Sequence, residues 1–84
     1  MPLPNEPVTL SVEQIKELNQ RLADMRHDVN NHLTLLTAAV ELIRRRPETA
    51  ERMLDSIVEQ PREISETIAK FSRELESALK ITRL

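Results

Sequence analysis

Between Ile15 and Ile43 the chain repeats its apolar residues at alternating intervals of three and four. The series is Ile15, Leu18, Leu22, Met25, Val29, His32, Leu36, Ala39 and Ile43, and His32 is its one polar member. That period describes one face of an α-helix, drawn narrow enough to be a coiled-coil seam, and it does not fit a strand. Nothing interrupts it before Pro47. Its beginning is equally marked. Ser11 followed by Gln14 fits a capping box, in which the serine hydroxyl accepts from a free backbone amide and the glutamine reaches back. Leu10 and Ile15 sit where a hydrophobic staple would hold the incoming chain. The pattern predicts a helix over about residues 11–45.

Pro47 cannot extend that helix, and it pushes Arg46 out of helical geometry. It suits the first turn of a new helix, where Glu48 and Glu51 favour the positive end. A second seam follows: Ala50, Leu54, Ile57, Pro61, Ile64, Ile68, Phe71, Leu75 and Ala78. Its phase passes through Pro61 without a reset. The pattern therefore predicts one long helix over about residues 47–82, kinked near Pro61, rather than two. Each helix has roughly 35 residues and a length of about 50 Å. The connection is so short that the two must pack antiparallel. Two helices alone cannot cover both seams together with Leu33, Leu35, Val40, Leu42, Val58 and Leu79. The expected fold is all-α: an antiparallel helical hairpin, residues 11–84, that dimerises into a four-helix bundle. Residues 1–10, with prolines at 2, 4 and 7, read as an extended tail and not as a signal peptide.

Composition narrows the function. At 84 residues the chain makes one small domain, and small chains often gain stability by oligomerising. It has no cysteine, which excludes a disulfide or thiolate-metal scaffold and fits a cytoplasmic location. It has no glycine, which excludes the loops that cradle a nucleotide's phosphates, and no cofactor is expected. The 12 basic and 14 acidic residues are mixed, Phe71 is the sole aromatic, and no nucleic-acid partner is expected. Arg44, Arg45 and Arg46 complement the negative end of the first helix. The longest uncharged run, Val29 to Val40, is about half of what a membrane span needs, so no membrane partner is expected either.

One stretch stands apart from this scaffold: Met25-Arg26-His27-Asp28-Val29-Asn30-Asn31-His32-Leu33. Imidazole is nucleophilic when neutral, and its ordinary pKa of about 6.5 leaves much of it so near pH 7. At 100° per residue His27 lies about 160° from the centre of the first seam and points outward. Asn31, one turn on, shares its face and lies within reach. Asp28 is a direct neighbour, so any pairing with His27 depends on side-chain reach. His32 sits on the seam and reads as an interior histidine that sets helix register. A metal site from His27, Asp28 and His32 is not expected, because the two histidines are separated by about 140° around the helix.

Histidine, aspartate, and asparagine four residues after the histidine, followed by Leu33, Leu35 and Leu36, resemble the H-box of two-component histidine kinases, in its His-Asp-x-Asn-Asn-x-Leu variant. In that family the H-box lies on the first helix of a dimerising hairpin, as it would here. The motif itself spans His27 to about Leu36, while the architectural likeness covers residues 11–82. The resemblance implies that His27 accepts a phosphoryl group and that Asp28 assists proton removal. It implies that Asn31 positions water when a receiver domain is dephosphorylated. His32 departs from the family, whose members usually carry leucine or proline there. These 84 residues hold no ATP-binding domain, so the expectation is an acceptor served by partners, similar to stand-alone dimeric histidine phosphotransferases, and not an autonomous kinase; a variant is the dimerisation segment of a longer kinase. Its expected partners are a second copy, a response-regulator receiver domain and a separate histidine kinase. The alternative is a non-catalytic dimerisation or adaptor hairpin with a degenerate H-box.

The outward face changes character at His27. Before it stand Glu13, Lys16, Glu17, Gln20, Ala23 and Asp24; after it stand Asn31, Thr34, Leu35, Ala38 and Leu42. A face that turns apolar just beyond a nucleophile suits the docking of a globular partner, which makes Thr34, Leu35 and Ala38 candidate contact residues. The competing reading is that a bundle simply buries a wider stripe there.

Overall fold

The computed structural model describes residue 4 and residues 6–80. Pro2 of the expected tail and the last residues of the expected second helix, 81–82, lie outside them. Helix α1 runs Val12–Arg45 and helix α2 runs Ala50–Leu79, and the two pack against each other as a hairpin. Among the described residues there is no strand. No helix of the described residues is long and apolar enough to cross a membrane.

The capping box at the start of α1 is complete. Gln14 N–H donates to Ser11 Oγ at 3.1 Å, and Ser11 N–H donates to Gln14 Oε1 at 2.8 Å. Two of the amides that a helix start leaves unpaired are thereby satisfied. At the other end Arg46 leaves helical geometry (φ −134°, ψ 81°) while its N–H still closes on Leu42 O at 2.8 Å.

The connection differs from the expectation that Pro47 opens the second α-helix. Pro47–Thr49 is a 3₁₀ turn, and the α-helix begins at Ala50. Thr49 accounts for this. Both its N–H (2.9 Å) and its hydroxyl (2.8 Å) donate to Arg46 O, which closes the chain over three residues instead of four. Thr49 is 3% exposed, so those bonds are shielded from water.

Helix α2 continues through Pro61, whose missing N–H cannot reach the Ile57 carbonyl. It ends at Lys80, which takes the left-handed conformation (φ 56°, ψ 37°) and caps the Glu76 and Ser77 carbonyls with its N–H. Glycine would fill that position at less steric cost, but the chain contains none.

The molecule measures 58 × 28 × 12 Å, so it is one helix thick. Such a slab has a seam but no enclosed interior, and Ala39 is the single buried apolar residue among those described. Along α1 the seam from Leu18 to Ile43 lies half-buried or buried, as its period requires, while Ile15 is exposed. Along α2 the packed line is shifted. Leu54, Pro61 and Ile68, expected on the seam, are exposed, while Met53, Gln60, Thr67 and Glu74 are half-buried. The inward face of α2 is therefore Met53, Ile57, Gln60, Ile64, Thr67, Phe71, Glu74 and Ala78, turned by about 50° from the apolar seam. Two polar contacts across the hairpin go with that turn. His32 Nδ1 meets Gln60 Oε1 at 2.6 Å, and Arg21 Nη1 meets Glu74 Oε1 at 2.9 Å.

Candidate functional site

His27 lies in the middle of α1 with its ring exposed. The unbroken helix around it sets the direction of its side chain and brings Asn31 onto the same face one turn later. The Asn31 amide Nδ2 approaches His27 Nε2 at 3.4 Å. An amide nitrogen only donates, so this contact places the lone pair of the neutral ring on Nε2 and its proton on Nδ1. The contact is long and open to water, so it orients the ring only weakly. Nε2 is thus the ring atom that carries the lone pair, with an amide beside it.

Asp28 is not joined to this pair. It is exposed and makes no hydrogen bond with His27. It lies instead at the edge of a small cleft between the helices, about 90 Å³ in volume, with Asp24 and Met25 on one wall and Thr67, Lys70 and Phe71 on the other. The structure therefore gathers His27 and Asn31 and leaves Asp28 to one side. His32 points the other way, into the hairpin, where it donates from Nδ1 to Gln60 Oε1. Among the described residues no group of three His, Asp or Glu side chains converges as metal ligands.

The expected contact residues are open to solvent. Leu35 is 52% exposed, and Thr34 and Ala38 are exposed beside it. Thr34 and Ala38 join Asn30, Leu33 and Thr37 around a shallow depression on the outer face of α1. Toward the other end of the hairpin the structure holds a feature that periodicity did not single out. A groove of about 540 Å³ opens between the helices, with Glu17 and Arg21 on α1 and Lys70, Arg73, Glu74 and Ser77 on α2. Arg21 sits between Glu17 and Glu74, and its pKa is raised, first by the hydrogen bond it donates to Glu17 and then by the charge of Glu74.

The two sides of the hairpin differ in character. At 100° per residue, Leu33 and Val40 on α1 fall on the same side as Leu54, Val58 and Ile68 on α2. All of these are exposed, Val58 most of all at 72%. His27, Asn31 and Leu35 fall on the opposite side, together with Lys70 across the groove. One side is thus an apolar stripe without a cover, and the other carries the histidine.

Comparison of the chain with protein-family models, with curated proteins and with solved structures found no match.

Proposed function

We propose that this chain is a phosphoryl-accepting histidine protein of a two-component or phosphorelay system, acting as a homodimer. The observation that carries the reading is the placement of His27. It is an exposed imidazole with Asn31 at Nε2, on the side of the hairpin away from the uncovered apolar stripe. A second copy covering that stripe would complete a four-helix bundle and leave both histidines facing solvent.

The surface supports the dimer. The chain exposes 6758 Å² of surface, whereas a compact monomer of its 9.7 kDa mass exposes roughly 5100 Å². A standard interface removes about 800 Å² from each partner, well within that excess.

In the transfer step the Nε2 lone pair attacks the phosphorus of a receiver domain's aspartyl phosphate or of a kinase-bound ATP. The N–P bond forms as the P–O bond to the donor breaks, and the electrons of that bond leave with the carboxylate or with ADP. The ring then gives up its Nδ1 proton. Asp28 would have to rotate out of the cleft to receive that proton, which its exposure allows. Asn31 gives way at Nε2 during attack. Afterwards its amide is placed to orient a water toward a receiver's phosphoryl group, the step that would make the chain a phosphatase.

Incubation with a set of phosphorylated receiver domains tests the reading. Acid-labile, base-stable label on His27 is the expected result. No transfer from any of them would favour the adaptor hairpin, which needs only the apolar stripe.

A further inference from the structure

The groove at the open end of the hairpin carries a local surplus of positive charge in a chain whose net charge is −2. Its lining includes Arg21, Lys70, Arg73 and Lys80 against two carboxylates, Glu17 and Glu74. Both carboxylates are engaged by Arg21, which bonds Glu17 through Nε and Nη2 and Glu74 through Nη1 at 2.9 Å. Lys70, Arg73 and Lys80 are left with no ion pair within 4.0 Å among the described residues, and all three are exposed.

We infer that this groove is a docking site for an acidic protein surface, a strip of carboxylates on a partner. Lys70 and Lys80 are separated by about 15 Å along α2, at about 1.5 Å per residue. Cations spread over that distance cannot converge on one phosphate, but they match carboxylates arrayed along a helix or loop. A nucleic acid fits poorly. The groove offers no aromatic platform on which bases could stack, and Glu17 and Glu74 would face its phosphates. Complementary charge of this kind speeds encounter and fixes orientation more than it adds affinity. The groove lies on the His27 side, with Lys70 shared between it and the cleft beside Asp28. A partner seated there would be held next to the histidine. The inference does not depend on His27 taking phosphoryl.

The experiment is a titration of the full isotope-labelled chain with an oligoglutamate peptide, followed by amide chemical shifts. Shifts should cluster at residues 14–21 and 70–80, and the affinity should fall as salt is raised. Lys70→Glu with Arg73→Glu should weaken binding about tenfold, while Arg45→Glu at the loop end should leave it unchanged. Lys70→Gln with Arg73→Gln serves if the charge reversal lowers helicity. His27→Gln should bind the peptide as the parent chain does. Binding lost in the groove variants with His27 labelling intact leaves the phosphoryl reading standing; peptide binding without any labelling removes only that reading. Shifts centred on Arg44, Arg45 and Arg46, no shifts at millimolar peptide, or tighter binding of tripolyphosphate or a single-stranded oligonucleotide would each overturn the docking site.

Discussion

His32 and Gln60 meet inside the hairpin, with the imidazole Nδ1 donating to the amide oxygen at 2.6 Å, one position before Pro61. Both residues are half-buried, and each interrupts a line of apolar neighbours. A polar pair in such a seam adds little net stability but penalises every register that separates its members. Gln60→Ala leaves the imidazole N–H without its partner and should lower unfolding free energy by about 1 kcal/mol. Replacing both residues with leucine should restore most of that loss in urea unfolding, with a less uniform dimer as the consequence. Equal stability of Gln60→Ala and the parent would show that water serves His32 as well as Gln60 does.

The second prediction concerns the apolar stripe. The chain should sediment as a dimer, at twice its 9.7 kDa mass, and its melting temperature should rise with concentration. Val58 is 72% exposed in the single hairpin, so a glutamate there costs the isolated chain almost nothing. In the bundle it would bury an unpaired charge. Val58→Glu should therefore shift the dimer toward monomer. A monomeric parent of full helicity would refute the four-helix arrangement.

The ends and period of α1 were legible in the sequence because they rest on local rules. Ser11 and Gln14 close a box of adjacent residues, and the seam from Leu18 to Ile43 is apolar at nearly every position. Helix α2 was less legible. Its seam was traced through Leu54, Pro61 and Ile68, yet Gln60 and Glu74 occupy the packed line, because their partners His32 and Arg21 lie on the other helix. Periodicity weighs apolar residues and cannot see a polar pair that forms only across the fold. The 3₁₀ turn escaped for a similar reason: Thr49 makes it with two bonds to one carbonyl, and no motif in the sequence marks that use of threonine. The nearness of Asn31 to His27 followed from helical spacing alone, whereas the separation of Asp28 from the ring needed the side chains to be placed.

The third prediction separates the two histidines. His27 is exposed and His32 is engaged with Gln60, so label should appear on His27 alone. His27→Gln should abolish it with helicity unchanged. His32→Gln should keep labelling while altering stability. Label that persists in His27→Gln and vanishes in His32→Gln would reverse the assignment. Asn31→Ala, which removes the amide from Nε2, should slow loss of phosphoryl from a receiver domain more than acquisition on His27.

The last prediction rests on Leu35 and Ala38. Both are exposed, Leu35 at 52%, and they lie about two and three turns beyond His27 on the outer face of α1. Under the proposed phosphoryl transfer, a donor or acceptor domain would bring its phosphoryl-bearing atom to Nε2, so its footprint would have to adjoin that ring. Toward the open end the adjoining surface is charged, with Asp24 and Lys70 across the cleft; toward the loop it is apolar. A glutamate introduced on the apolar part would be driven into a contact that offers it no partner. Leu35→Glu and Ala38→Glu should each slow transfer about tenfold or more, since an unpaired charge in a contact costs more than about 1.4 kcal/mol. Neither should move the melting temperature or the dimer mass, because neither side chain is packed in the hairpin or lies on the apolar stripe. Loss of the dimer in Leu35→Glu would mean that the bundle extends around α1 as far as Leu35. The histidine would then sit at the rim of the interface, and the partner would have to approach from the groove between Arg21 and Lys70.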